Sequence, residues 1–188
     1  MTMLLVTPPA VEPVTLAQTR AFLKISSESE DELLEQLLRT AREVVESQTG
    51  LALISQTWRL HLDRWPRSGR IALFRYPVRE IVEVTAYEPD GTPVVIGASE
   101  RHLHKGSRPQ RLYLSPRAGS SSLGGLEIDF VTGFGETGAD VPDALKHAIL
   151  TLAAHLYEFR SAFDGEMQPV SFPPAFDRMV EIWRRVSL

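Results

Sequence analysis

The chain is predicted to be α+β: a helical bundle formed by N- and C-terminal helices, with a small inserted antiparallel β element. Two observations carry that prediction. Apolar residues recur at helical spacing near both ends of the chain and alternate with period two between them. Net charge changes sign at nearly the same places. Residues 1–50 hold 4 basic and 8 acidic side chains, residues 51–118 hold 11 and 6, and residues 119–188 hold 5 and 10.

The elements follow in order. Thr15 and Gln18 have the spacing of a capping box, and Leu16, Phe22 and Leu23 give a short apolar face through about Ile25. Ser29 with Glu32 repeats that spacing ahead of Leu33, Leu34, Leu37, Leu38, Ala41, Val44 and Val45, and Gly50 is placed to cap the C-terminus. Period two begins with Thr57, Arg59 and His61 against Trp58, Leu60 and Leu62, and continues through Ile71–Arg75 and Ile81–Tyr87. Pro89-Asp90-Gly91 reads as a hairpin turn before Val94–Ile96. Arg111–Leu114 and Leu126–Val131 supply two more strands, with a Gly- and Ser-rich loop over 118–125 between them. Helix returns at Pro142, expected in a first turn, with Leu145, Ile149, Leu152, Leu156 and Phe159 at alternating spacings of four and three. A loop over 164–174 precedes a last amphipathic segment carrying Phe176, Met179, Val180 and Trp183. The expected organisation is a single domain over 1–188. It holds a helical hairpin at 14–50, the β insert at 55–132, and C-terminal helices at 141–163 and 175–187.

Composition removes several function classes. With 188 residues, 43% hydrophobic and 23% charged, the chain reads as an ordinary globular protein. Having no cysteine, it has no disulfides, thiolate metal sites or cysteine nucleophile. The four-residue apolar patch Met3–Val6, broken by Pro8-Pro9, does not read as a signal peptide, and no run suits a membrane span.

Candidate chemistry was weighed residue by residue. His102 and His104 would share one face of a strand, but Arg101 to Arg117 holds five cations and no acid to complete a metal site. His147 and His155 are eight apart, about 12 Å along a helix, and His155 with Glu158 lacks a mate on another helix. His61 reads as a solvent-facing strand residue. Gly133-Phe134-Gly135 has no Lys-Ser/Thr and reads as a strand exit, no GxSxG occurs, and edge solubility accounts for Glu127 and Asp129. No catalytic, cofactor-binding or metal-binding residue is assigned, no cofactor is expected, and the chain is expected not to be an enzyme.

The basic stretch stands out, with ten Arg against one Lys in residues 51–118. Arg favours bidentate contacts with carboxylate or phosphate. Three readings stand: a solvated β surface, contact with acidic protein surface such as the helices of a neighbouring copy, or contact with DNA phosphates.

A family resemblance follows from an ordered set of stretches. These are Val14-Thr15-Leu16, Glu46 to Leu53 (ESQTGLAL), Gln56-Thr57-Trp58 with Leu60 and Leu62, Tyr76-Pro77-Val78, Asp129 to Gly135 (DFVTGFG), and Val141 to Leu150 (VPDALKHAIL). Together they resemble the head–tail connector (adaptor) proteins of long-tailed phages, including the adaptors of gene transfer agents. The resemblance implies a ring of about twelve copies closed by head-to-tail contacts. It implies a place beneath the portal protein and above a stopper or tail-completion protein, in the neck of a particle assembled in the bacterial cytoplasm. Double-stranded DNA would pass through the ring without sequence-specific binding, and no membrane is involved. A conduit should not grip its cargo, so the acidic helices are expected to border the channel. Arg67, Arg70, Arg75, Arg108 and Arg111 are then expected at subunit or partner interfaces. Phe176, Arg178, Met179, Trp183, Arg184 and Arg185 are candidates for docking on the portal, with packing on the chain's own bundle as the competing reading. The arm Met1–Val11 is expected to order only on a partner. The alternative function is a DNA-binding or DNA-packaging accessory protein using the Arg-rich β face.

Overall fold

The computed structural model describes residues 1–115, 124–159 and 172–184. Most of the loops expected over 118–125 and 164–174, the expected helix ends 160–163 and 185–187, and Arg185 therefore lie outside the described residues. The chain divides into two compact units, one of Met1–Ala10 with Ser55–Phe134 and the other of Val11–Ile54 with Gly135–Leu188.

The first unit is all β among its described residues, apart from a short 3-10 turn at Ala98–Glu100. Its strands are β1 (Thr2–Thr7), β2 (Gln56–Leu62), β3 (Arg70–Leu73), β4 (Val78–Tyr87), β5 (Pro93–Val95), β6 (Arg101–His104), β7 (Gln110–Leu114) and β8 (Leu126–Thr132). Five form one antiparallel sheet in the order β1-β2-β8-β4-β5, and three form another in the order β3-β7-β6. Strict alternation along β8 buries Leu126, Ile128 and Phe130 and turns Glu127 and Asp129 outward. Leu60, Val84 and Ala86 join them from the same sheet, and Ile71, Leu73, Leu112 and Leu114 come from the other, so both sheets share one core. The buried Gln110 side chain ties the two together: its amide oxygen accepts from Val78 N–H and its nitrogen donates to Lys105 O.

Several expectations are corrected here. The β part is larger than a small insert, with eight strands in two sheets. It also reaches outside 55–132, because the N-terminal arm is strand β1, paired with β2 from Thr2 opposite His61 to Leu5 opposite Trp58. Pairing within the chain itself orders the arm. Glu127 and Asp129 are likewise not edge residues, since β8 lies between β2 and β4 at the centre of its sheet.

The second unit holds α1 (Leu16–Leu23), α2 (Asp31–Thr49), α3 (Asp143–Glu158) and α4 (Pro174–Glu181). The expected capping box starts α1, with Thr15 Oγ1 accepting from Gln18 N–H at 3.2 Å and Gln18 Oε1 from Thr15 N–H at 2.9 Å. The second expected box does not form. Ser29 Oγ lies 2.8 Å from Ser27 Oγ instead, Glu30 takes the N-cap position of α2, and its carboxylate accepts from the Tyr157 hydroxyl at the far end of α3. Gly50 ends α2 at φ 73, where a Cβ would strain the left-handed backbone. Pro142 stands one residue earlier than expected, at the N-cap of α3. Gly138 allows the chain to pass against the Pro13 carbonyl, which a Cβ would strike. Leu34, Leu38, Ala41 and Val45 form the buried stripe of α2, and Leu145, Ala148, Ile149 and Leu152 that of α3. The helices α2 and α3 pack together, as do α3 and α4.

Charge is buried in this unit as well. Arg42 and Glu46, one turn apart on α2, are each 6% exposed. Arg42 donates from Nη1 to Glu46 Oε2 at 3.0 Å and from Nε to Glu12 Oε2 at 2.8 Å. The other Glu46 oxygen accepts from Leu53 N–H at 2.8 Å. Burial opposes the Arg42 charge, but the fields of Glu46 and Glu12 outweigh it and hold the guanidinium above the ordinary arginine value. One carboxylate therefore fixes α2 and the buried segment 51–54 that follows it. Glu46→Ala should remove that link, leave Leu53 N–H unpaired, and destabilise the protein by about 3–5 kcal/mol. Exposed Glu43→Ala should change stability by about 0.5 kcal/mol at most. Urea unfolding of both variants measures the contrast.

Candidate functional site

The structure sorts the Arg-rich stretch into tied and open cations, and antiparallel register does the sorting. On the outer face of the five-stranded sheet, Arg59 stands opposite Asp129 and His61 opposite Glu127. Arg59 makes a bidentate pair with Asp129, at 2.7 Å from Nε and 2.8 Å from Nη2, and Nη1 lies 3.4 Å from Glu127. The bonds to Asp129 raise the Arg59 pKa above the usual arginine value. Glu127 also accepts from the Tyr87 hydroxyl at 3.0 Å and lies 3.6 Å from His61 Nδ1. This face is electrically answered by its own chain.

Other cations are held by rings and carbonyls. Arg75 lies over the Trp58 ring at 4.7 Å. Arg108 lies over Tyr76 at 4.5 Å and donates to its hydroxyl at 2.6 Å. Lys105 donates to Arg79 O at 2.7 Å and Arg101 to Val82 O at 3.2 Å. Arg67 is exposed in the loop before β3.

The outer face of the three-stranded sheet is different. Arg70 stands opposite Tyr113, and Ala72 opposite Arg111. Across β7, His102 stands opposite Tyr113 and His104 opposite Arg111. Directly opposed residues share a face. Arg70, Arg111, His102, His104 and Tyr113 therefore project together, with no carboxylate among these strand positions. His102 and His104 do share a face as the sequence predicts, but Arg111 sits across from His104. Among the described residues there is no group of three or more potential metal-binding side chains. Sequence reasoning found these Arg and His residues and missed their juxtaposition. Their period-two spacing within β6 and β7 was the available signal.

The C-terminal candidates also separate. Phe176 is fully buried, beside the Phe172 ring at 5.2 Å, and Val180 is buried with it, so they anchor α4 within its own unit. Met179 and Trp183 are partly buried. Arg184 donates to Asp177 Oδ1 at 2.7 Å and to the Gln48 side chain on α2. Arg178 is exposed, and so is Ile182, which the sequence reading passed over, at 72%. No described helix is long and apolar enough to cross a membrane.

Residues 13–82 match the phage gp6-like head-tail connector family. Three solved structures resemble the chain at 26% identity, each covering 100% of this chain and 97% of the other. They are the neck of an empty GTA particle computed with C6 symmetry (TM-score 0.82), the virion of a native gene transfer agent (GTA) particle (0.83), and the neck of a native GTA particle computed with C12 symmetry (0.80). No curated protein sequence matches. The resemblance read from the sequence is borne out. The connector match runs from α1 into β4 and includes Arg42, Glu46 and Gly50, the residues that shape the end of α2.

The tied sheet face carries a titration signature. The hydrogen bond to Glu127, with some burial, raises the Tyr87 pKa above the ordinary tyrosine value. Its stabilising contribution is present below the unfolded tyrosine pKa and is lost as pH rises through the higher folded value. Ultraviolet titration should show Tyr87 ionising late, and Glu127→Gln should return it towards the ordinary range.

Proposed function

We propose that this chain is a structural head–tail connector, or adaptor, of a phage or phage-like gene transfer particle, with its two units acting as one connector domain. The observation that carries this reading is the full-length likeness to neck proteins, over 100% of this chain and 97% of the other, with a TM-score of 0.82. The connector match over residues 13–82 supports it independently.

The function is structural rather than enzymatic. The chain works as one of about twelve copies in a ring with head-to-tail contacts. The C6 and C12 symmetries of the similar necks support that number. In this ring α1 and α2 join α3 and α4 in one bundle, a reading supported by the α2–α3 and α3–α4 contacts. The ring is assembled in the bacterial cytoplasm and sits between the portal protein and a downstream stopper or tail-completion protein. DNA moves through it without sequence-specific binding. The distribution of charge suits a conduit: Arg59 is paired with carboxylates, and Arg75 and Arg108 are stacked on rings, which limits the cations free to hold phosphates.

One observation favours the alternative of a DNA-binding or DNA-packaging accessory protein, namely the carboxylate-free outer face of the three-stranded sheet. Submicromolar, steeply salt-dependent duplex binding by the isolated chain would support it.

Deleting the chain from a producing cell should yield filled heads without tails, and imaging of normal particles should place its density in the neck. Complete, DNA-delivering particles from the deletion strain would overturn the reading. The exposed outer side of α4 is the proposed portal contact. Arg178→Glu combined with Ile182→Asp should leave the fold intact and abolish joining to portals, whereas Phe176→Ala should instead cost about 3–5 kcal/mol of stability. Thermal melting and portal co-sedimentation separate the two effects.

A further inference from the structure

The chain carries two exposed, unanswered charge pairs of opposite sign. The first lies on the outer face of the three-stranded sheet. Arg70 and Arg111 are exposed on adjacent strands, two residues out of register with each other and so on one face. Such diagonal neighbours lie about 7–8 Å apart at the backbone. Tyr113 stands beside them, with Arg70 5.7 Å from its ring centroid and the His104 ring edge-on at 6.2 Å. Among the described residues neither Arg70 nor Arg111 has an acidic partner, in contrast to Arg59 on the other sheet. The second pair is Glu32 and Glu35, exposed in the first turns of α2. Three residues apart, their Cβ atoms lie about 5–6 Å apart on one side of the helix. They too have no cationic partner among the described residues, although Glu28 and Glu43 are answered by Arg20 and Arg42.

We propose that the Arg70–Arg111 face of the three-stranded sheet docks on the Glu32–Glu35 side of α2 in a second copy of this chain. The inference rests on the ring reading above and assigns the ring's subunit contact. A head-to-tail interface requires two different, complementary patches on every copy, and here two guanidiniums meet two carboxylates at spacings that long side chains bridge. Arg forks pair bidentately with carboxylates, and the contacts of Tyr113 with Arg70 and His104 restrict those side chains before docking, which lowers the entropy lost on association. DNA is the less suitable occupant. With about a dozen copies, this face would set about two dozen guanidiniums against the duplex and hold it by a steep salt-dependent affinity. Docked on acidic helices, the same cations are neutralised.

The test is charge reversal in the full chain, read by native mass measurement and sedimentation at low and high salt. Parent copies associate at low salt and separate as salt rises. Arg70→Glu with Arg111→Glu weakens association about tenfold or more, and so does Glu32→Arg with Glu35→Arg. The quadruple variant restores it, as does an equimolar mixture of the two doubles, because every reversed face then meets a reversed partner. All four positions are exposed, so far-ultraviolet dichroism should match the parent. Arg70→Gln with Arg111→Gln, which removes the charge without reversing it, replaces any double that misfolds. Doubles that assemble like the parent, a quadruple variant that stays apart, or parent copies that never associate overturn this pairing. Duplex binding abolished by Arg70→Glu with Arg111→Glu while rings persist assigns the face to DNA and also overturns it. Those results leave the connector reading standing, whereas necks that lack the chain altogether sink that reading instead.

Discussion

The helical unit is organised around a charge that has been taken out of water. Arg42 lies on the buried side of α2, where an unpaired guanidinium would be strongly destabilising, and its position is tolerable because Glu46 and Glu12 meet it from two directions. Glu46 also accepts from Leu53 N–H, so the carboxylate that neutralises the arginine directs the chain after Gly50 into its buried path. A buried ion pair adds little net stability compared with a well-packed apolar pair, but it is demanding in geometry. Here that demand falls on the junction between the last turn of α2 and the segment leading to β2. In the ring proposed above, where every copy repeats one shape, a junction with a single satisfied arrangement is an advantage.

The β unit shows the complementary case, charge kept at the surface and either answered or left open. Its two sheets bury one face each in a shared core, so each retains one outer face. Register decides what those faces become. On one, β2 and β8 bring Arg59 to Asp129 and Glu127, so the arginine is answered by two carboxylates. On the other, β3, β6 and β7 bring cations beside cations with only Tyr113 between them. Like charges gathered on a face repel one another, and that cost is relieved when an anionic surface covers them. The open face is therefore suited to contact and the answered face to structure.

For the proposed connector role this division has a mechanical sense. That proposed role asks for rigidity, repeated self-contact and indifference to DNA. Buried Phe176 and Val180 fix α4 to its own unit, while Arg178 and the C-cap residue Ile182 remain exposed. This segment thus combines an internal anchor with an exposed outer side.

Local interactions were legible from the sequence. The period of Leu34, Leu38, Ala41 and Val45, the Thr15–Gln18 capping box, the Gly50 stop and the alternation of β8 each depend on residues within a turn or two of one another, and all stand as read. Where long-range partners intervened, sequence reasoning went astray. Ser29 lost the cap of α2 to Glu30, whose carboxylate is bound by Tyr157 on α3. The arm Thr2–Thr7 is a strand because β2, far along the chain, offers it an edge. Counting arginines showed that residues 51–118 are basic, but only strand register could show that Arg59 is answered while Arg70 and Arg111 meet no carboxylate among the described residues. Composition and periodicity thus determined the class of elements and their order. The tertiary structure decided which charges meet, because a pairing across strands or helices is set by register and packing rather than by distance along the chain.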